Sequence, residues 1–183
     1  MRISNTQVDQ PWLIIQSEIT SLLSLVSADE LRSLKDLFRE ASDQRWFFSG
    51  QGRSGLIAQM AAMRFMHLGF RCHVAGEATA PAIRSEDKLL LICGSGRTPI
   101  SKGFAEIAKS EGAQLALVTH KPDSELAEKA DLLLTIPMNE TVQFGGTLFE
   151  QVTLILLDWV ALELARETAD IHKAMWWRHT NLQ

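Results

Sequence analysis

Short apolar runs alternate with amphipathic segments from residue 45 onward, and this alternation constrains the fold more than any other feature of the chain. The apolar runs have the length of buried strands, and the segments between them have helical spacing. Strands that alternate with helices form a parallel sheet covered on both faces, and right-handed crossovers leave few topologies. We therefore predict an α/β fold with a doubly wound, flavodoxin-like sheet of five parallel strands. The predicted strands cover residues 45–49, 71–75, 88–93, 114–119 and 132–136, and the helices between them cover 54–68, 99–111 and 124–130.

Helical segments precede and follow the predicted sheet. Apolar residues at helical spacing over 11–26 predict a first helix, and Ser27 with Glu30 has the spacing of a capping box that begins a second. An apolar helix is predicted over 147–166, and a last helical piece leads into the tail. A chain of 183 residues can bury one sizeable core, and no repeat or linker divides it, so we predict a single domain over residues 1–183.

Composition and charge argue against several classes of protein. The net charge is −4, which implies no general affinity for nucleic acid or for an anionic membrane. The N-terminal residues lack the apolar core of a signal peptide, and no apolar run reaches the roughly 18 residues that span a bilayer. Cys72 and Cys93 fall in predicted strands without the spacing of a metal-binding pair. We therefore predict reduced core thiols in a cytoplasmic protein.

The first predicted strand leads into a glycine loop, GQGRSG at residues 50–55, that opens a helix. A strand followed by such a loop and a helix N-terminus points several N–H donors at one place, where the helix dipole also favours an anion. The loop lacks the Walker pattern, so we expect a phosphate group rather than a nucleotide. The predicted binding residues are Ser49, Gly52, Arg53 and Ser54. The alternative is a purely structural turn between a strand and a helix.

A second glycine loop, GSGRTP at residues 94–99, follows the third predicted strand. Pro99 suits the first turn of a helix and Thr98 suits its N-cap. In the strand order 2-1-3-4-5, the order reverses between the first and third strands and leaves a crevice at their carboxyl ends. Two loops that carry hydroxyl groups are therefore predicted to hold one phosphate monoester. The predicted contacts are Ser54 from the first loop and Ser95, Gly96, Arg97 and Thr98 from the second.

Five motifs along the chain resemble the sugar isomerase (SIS) domain family, most closely its 6-phospho-3-hexuloisomerase branch. They are GRSGLIAQMAAMRFMHLGF, VAGEATAP, GSGRT, GGTLFEQ and RHTNLQ, and they occur in the order typical of the family. The resemblance implies a cytoplasmic enzyme that converts D-arabino-3-hexulose 6-phosphate into fructose 6-phosphate, after 3-hexulose-6-phosphate synthase in formaldehyde fixation or detoxification. It also implies a tetramer built of dimers, and no metal or organic cofactor.

The implied reaction moves a carbonyl group from C3 to C2. It needs a base that removes the C2 proton, an enediol intermediate, and an acid/base group near the two oxygens. A glutamate with a neutral histidine performs such chemistry in other phosphosugar isomerases. Glu150, carried over from the family's FEQ motif, is the predicted base. The alternative is that its carboxylate only complements the dipole of the first helical turn.

His67 and His179 are the predicted acid partners. His67 ends the helix that begins at the first loop, about 20 Å away, so its predicted action is across a subunit interface. The alternative is a histidine that only complements the C-terminal helix dipole. His179 belongs to the tail motif, which resembles the family's RHANLE, and the tail is predicted to close over the crevice as a lid. Alternatively, Trp176 and Trp177 dock the tail on a partner subunit.

Two features leave the substrate open. The family's second loop usually reads GSGET, whereas this chain has Arg97 in the acidic position, which could strengthen anion binding or mark a different substrate. The alternatives are an isomerase of another sugar phosphate or a sulfonated analogue, and a non-catalytic phosphosugar-binding module. Apolar residues in the N-terminal hairpin, the Met-rich helix and the tail predict a homo-oligomer, either a dimer or a tetramer.

Overall fold

The computed structural model describes residues 10–138 and 140–182. The predictions for the N-terminal leader and for Gln183 lie outside the described residues. The strands are β1 (Arg45–Gly50), β2 (Arg71–Val74), β3 (Lys88–Ile92), β4 (Gln114–Thr119) and β5 (Leu132–Thr135). The helices are α1 (Trp12–Leu23), α2 (Ala28–Glu40), α3 (Arg53–Leu68), α4 (Pro99–Ser110), α5 (Glu125–Lys129), α6 (Thr147–Arg166) and α7 (Ile171–Arg178).

The five strands form one parallel sheet in the order β2-β1-β3-β4-β5, which confirms the predicted topology. β1 pairs with β2 on one side and with β3 on the other. In the second pairing Gly50, the last residue of β1, lies opposite Ile92, the last residue of β3. The two strands therefore end side by side at the point where the strand order reverses.

The sheet has a separate apolar core on each face because successive side chains of a strand point in opposite directions. Trp46 and Phe48 pack with α2, α3 and α6, whereas Phe47 packs with α4 and α5 on the other face. On the first face the ring of Phe38 stacks between Trp46, with centroids 3.7 Å apart, and Phe65, with centroids 4.0 Å apart. This stack locks α2 and α3 against β1 and so fixes where the first loop begins.

The predicted start of α2 is confirmed, but the predicted capping box is wrong. The Ser27 hydroxyl accepts a hydrogen bond from the Glu30 backbone N–H at 3.3 Å. The Glu30 carboxylate does not return to Ser27. It accepts the backbone N–H of Thr135 at 2.6 Å instead, because the end of β5 lies beside α2 and offers a donor. Glu30 therefore joins the N-terminal hairpin to the edge of the sheet.

Both cysteines are free thiols. Burial raises the pKa of the Cys72 thiol to about 12, so this side chain is an inert part of the core. Cys93 directly follows β3, and its sulfur lies 3.4 Å from the Thr98 hydroxyl. Within the described part of the chain, no helix combines the length and the apolar character needed to cross a membrane.

Candidate active site

Three helices begin at the edge of the sheet where β1 and β3 end. The N-cap residues are Gly52 for α3, Thr98 for α4 and Gly146 for α6, and none of them caps its helix with a side chain. By contrast, Ser27 and Ser124 cap α2 and α5 through their hydroxyl groups. Uncapped N–H groups and the helix dipoles together favour an anion. We call the space between the loops at 50–55 and 94–98 the crevice.

The first loop is held in one backbone conformation by its glycines. A Cβ atom on Gly50 would lie 2.6 Å from the backbone carbonyl group of Ser54, and Gly52 has a φ of +60°. Ser54 is buried in the first turn of α3. Ser49, at the end of β1, is also buried, and its hydroxyl has no hydrogen-bond partner within the described residues. An orphaned buried hydroxyl beside the loop is a group that a ligand could satisfy.

The glycines at 50, 52 and 55 also have the G-x-G-x-x-G spacing of dinucleotide-binding loops. Spacing alone therefore does not separate a nucleotide from a simpler phosphate ester. The distinction has to come from the groups around the loop.

The second loop presents hydroxyl groups, but not in the manner predicted for Thr98. Thr98 is the N-cap by backbone conformation, yet its hydroxyl contacts the Cys93 thiol instead of the helix. The Ser95 hydroxyl accepts the Arg97 backbone N–H at 3.3 Å, and the Arg97 side chain is exposed. Gly96 has a φ of +63°, and its Cα packs so closely on Ser124 that any side chain would collide.

The first turn of α6 brings the two loops together. The Glu150 carboxylate forms an ion pair with Arg53 of the first loop, and the Glu150 side chain is only 12% exposed. A Cβ atom on Gly94, in the second loop, would lie 3.2 Å from the ring of Phe149. The predicted base and the two predicted phosphate loops therefore meet at one crevice.

The predicted acid partners lie elsewhere in the chain. His67 is buried at the C-terminal end of α3, and its ring stacks on that of His179 with centroids 5.2 Å apart. The guanidinium of Arg178 donates to the carbonyl oxygen of His67 at 3.0 Å. The tail therefore packs on the end of α3 that is remote from the crevice of the same chain, and its predicted role as a lid stays a prediction.

The two histidines line a cavity of about 280 Å³, together with Arg64, His172, Met175 and Trp176. We call this group of residues the histidine cluster. Burial, followed by the nearby His179 and Arg64, lowers the pKa of His67. His67 is therefore a neutral imidazole at neutral pH. About fourteen helical residues separate it from Arg53, which is about 20 Å along the helix axis.

Sequence reasoning missed two residues near the crevice. Ser101, in the first turn of α4, is fully buried, and its hydroxyl makes no hydrogen bond of normal geometry within the described residues. His120 directly follows β4 and packs against Phe149, with ring centroids 5.8 Å apart. Neither belongs to a glycine loop or to a motif, so only their position at the ends of neighbouring elements could have indicated them.

A family model described as "SIS domain" matches residues 39–163, which is more than half of the chain and includes both loops and Glu150. The chain belongs to the SIS domain family. The predicted family and the predicted fold class are thus confirmed. Apart from Arg64 and His67, the residues of the histidine cluster lie C-terminal to this span.

This SIS domain is similar to two bacterial enzymes named 3-hexulose-6-phosphate isomerase. It is 43% identical over 147 residues to that of Mycobacterium gastri, covering 76% of this chain and 74% of the relative. It is 33% identical over 178 residues to that of Bacillus subtilis, covering 92% of this chain and 95% of the relative. The second match extends the similarity to almost the full length of both chains.

The SIS domain also matches a solved structure, that of a protein from Methanococcus jannaschii. The TM-score is 0.84 at 32% sequence identity, over 94% of this chain and 98% of that one. The crystal structure of that protein was described as inferring a molecular function of 3-hexulose-6-phosphate isomerase. Both the sequence relatives and the solved structure therefore lead to one class of enzyme.

Proposed function

We propose that this chain is a phosphosugar isomerase that interconverts D-arabino-3-hexulose 6-phosphate and fructose 6-phosphate. The observation that carries the proposal is the meeting of three uncapped helix N-termini with the Glu150 carboxylate at one crevice. The helix termini suit a phosphate dianion, and the carboxylate suits proton abstraction from a carbon next to a carbonyl. The enzymes of M. gastri and B. subtilis support the choice of sugar.

The phosphate group is proposed to bind between the two glycine loops. Backbone N–H groups of the first turns of α3 and α4 donate to its oxygens, and hydroxyl groups complete the shell. Arg53 and Arg97 add charge-assisted contacts, and the Arg97 side chain suits a dianion better than the acidic residue usual in the family. The proposed ligand residues are Ser49, Gly52, Arg53, Ser54, Ser95, Gly96, Arg97 and Thr98.

Glu150 is proposed to move the proton between the two carbons. Its carboxylate takes the proton from C2, which yields an enediol, and then returns it to C3 as the C2 carbonyl forms. The ion pair with Arg53 holds the carboxylate in the crevice. Phosphate binding at the first loop draws on the same guanidinium, so Arg53 couples the binding of substrate to the position of the base.

His67 and His179 are proposed to serve the crevice of a neighbouring subunit, where they exchange the proton between the hydroxyl and carbonyl oxygens. Within one chain, the two histidines lie at the opposite end of α3 from Glu150. Large apolar side chains are exposed on the surfaces that could pair: Met60 and Met63 on α3 are 46% and 48% exposed, and Trp177 on α7 is 90% exposed. An interface over these residues would bury apolar area and complete the site.

A coupled assay that follows fructose 6-phosphate formation from 3-hexulose 6-phosphate tests the proposal. We expect turnover by the wild type and a fall in kcat on the order of 1,000-fold in Glu150→Gln, because a general base contributes about 10²–10⁴-fold. Asp158→Asn is the matched control, since Asp158 also pairs an α6 carboxylate with an α3 arginine, Arg64, but is 56% exposed. A wild type without turnover would refute the activity, and full turnover by Glu150→Gln would refute the assigned base.

A further inference from the structure

His120 occupies the wall of the crevice between the second loop and α6. Its backbone N–H donates to the carbonyl oxygen of Gly94 at 3.2 Å, which ties the end of β4 to the start of the loop. Its ring lies directly against Gly94, because a Cβ atom there would be 3.2 Å from the His120 Cδ2. The ring also packs on that of Phe149 in a T-shaped arrangement, with centroids 5.8 Å apart. His120 is thus in contact with the residue next to Glu150.

The surroundings of His120 leave its ring nitrogens available. The side chain is half-buried, and within the described residues neither ring nitrogen forms a hydrogen bond to another residue. Burial, with a further contribution from the positive charge of Lys121, lowers the pKa of His120. The ring is therefore a neutral imidazole at neutral pH, although a backbone hydrogen bond within His120 itself acts against the shift. Its N–H donor makes no hydrogen bond of normal geometry to another described residue.

We propose that His120 is a further catalytic residue, which donates its imidazole N–H to the substrate carbonyl oxygen while Glu150 removes the neighbouring proton. This rests on the proposed isomerase activity. As the C2–H bond breaks, its electron pair forms the C2–C3 double bond and the C3 carbonyl pair moves onto O3. The His120 N–H stabilises the negative charge on O3 through a hydrogen bond and keeps its own proton. The O2 hydroxyl proton then passes to O3, and the proton on Glu150 returns to C3 as the C2 carbonyl forms.

A neutral imidazole fits this role better than it fits a phosphate contact. A phosphate dianion favours a cationic partner, and Arg53 and Arg97 already supply cations at the loops. A carbonyl oxygen that becomes an oxyanion gains most from a fixed donor in a site that excludes water. The same division between a glutamate base and a neutral histidine operates in triosephosphate isomerase. His120 supplies the donor from the same chain as Glu150, whereas His67 and His179 reach the crevice only from a neighbour.

His73 provides a matched control. It is also a half-buried histidine that packs on a phenylalanine, since its ring lies 5.3 Å from that of Phe47, and burial lowers its pKa as well. It lies in the edge strand β2, lining a cavity with Gln59 and Met66, away from the crevice. The two histidines therefore have similar packing, and of the two only His120 contacts the second loop and the residue next to Glu150.

Replacement by phenylalanine separates packing from hydrogen bonding. In His120→Phe we expect kcat to fall about 100-fold with KM within about twofold of the wild type, because one oxyanion donor is worth about 10²–10³ in kcat. His120→Asn, which keeps an N–H donor, should recover part of this loss, and His73→Phe should retain the wild-type kcat. Full kcat in His120→Phe, or a change in KM alone, would overturn the proposal.

A binding measurement separates this proposal from the isomerase assignment itself. We expect the imidazole ¹⁵N signals of His120, and not those of His73, to shift when fructose 6-phosphate is added to Glu150→Gln, in which chemistry is blocked. If the wild type shows no turnover in the coupled assay, this shift would still support the contact between His120 and the ligand, while the proposed function would be refuted. Saturation with fructose 6-phosphate that leaves the His120 signals unmoved would overturn the contact, even in a fully active enzyme.

Discussion

The two ends of α3 both carry predicted catalytic residues, and they are built in different ways. At the N-terminal end, glycine backbone, buried hydroxyl groups and the Arg53–Glu150 ion pair surround the crevice. At the C-terminal end, the histidine cluster joins aromatic and imidazole rings of the tail, with Trp176 and Trp177 largely exposed. The first end has the features of an anion site within one chain, whereas the second combines the buried His67 with exposed rings of the tail.

This difference indicates how one active site could draw on both ends. A helix of this length separates the ends by about 20 Å, which no side chain bridges. The proposed catalytic role of the cluster therefore requires another copy of the chain. Repeating the same interface symmetrically would bring a C-terminal end of one subunit to an N-terminal end of its neighbour.

Complementation between two inactive variants tests whether the ends cooperate across subunits. We expect His67→Asn to lower kcat about 100-fold, as loss of an acid/base group does. Mixing unfolded His67→Asn and Glu150→Gln chains and refolding them together should restore turnover, because some crevices then receive a native Glu150 and a native His67. The measurement is the coupled assay on the mixture.

His172→Asn is the control for this experiment, because His172 lines the same cavity but is exposed. It should keep the wild-type kcat. If His67→Asn retains full activity, the cluster has only a structural role. If His67→Asn is inactive and the refolded mixture is also inactive, His67 does not act on the crevice of a neighbouring subunit.

The two ion pairs that join α3 to α6 provide a second comparison. Arg53 pairs with Glu150 at the crevice, and Arg64 pairs with Asp158 further along, at 3.9 Å. We expect Arg53→Gln to raise KM by about tenfold to a hundredfold, since a hydrogen bond to a charged group contributes about 1.5–3 kcal/mol. Arg64→Gln should leave KM within about twofold, because exposed ion pairs contribute little.

Inorganic phosphate serves as a probe for the same pair of variants. Its inhibition constant should rise in Arg53→Gln in parallel with KM and stay unchanged in Arg64→Gln. Equal effects of the two substitutions would mean that Arg53 acts through helix packing and not through the phosphate group.

The smallest expected effect is the pH dependence of stability at the C-terminal end. Because burial lowers the pKa of His67, the unfolded chain takes up a proton at a higher pH than the folded chain does. Folding stability is therefore lost as the pH falls below about 6.5, the ordinary imidazole value. Coulombic interactions with His179 and Arg64 lower the pKa of His67 in the same direction.

Thermal unfolding at pH 7.5 and pH 5.5 measures the contribution of His67 to the pH dependence of stability. The midpoint should fall more between the two pH values for the wild type than for His67→Asn, by a few degrees at most. His73 and His120 also have lowered pKa values, but both residues are present in both proteins. Their contributions to the pH dependence of the midpoint therefore cancel in the comparison. Identical pH slopes would show that protonation of His67 does not oppose the packing of α7.

Local sequence patterns were enough to predict the fold, the two glycine loops and Glu150. Alternating apolar strands and helices predict one sheet order. In that order the carboxyl ends of β1 and β3 are adjacent, whatever the conformation of the other segments. The glycine loops could be predicted from the sequence because their backbone conformation depends on residues within the loop. Gly52 and Gly96 have positive φ values that other residues avoid. Glu150 was found from its motif.

Contacts between distant segments were decided only by the tertiary structure. The Glu30 carboxylate accepts the Thr135 N–H instead of completing a capping box, because β5 packs beside α2. The Thr98 hydroxyl contacts the Cys93 thiol instead of capping α4. His120 enters the crevice because β4 lies next to β3, and the tail packs on His67 at the end of α3 that is remote from the crevice. A polar side chain bonds to whichever partner packing brings within reach, and a local sequence pattern carries no information about which distant segment that will be.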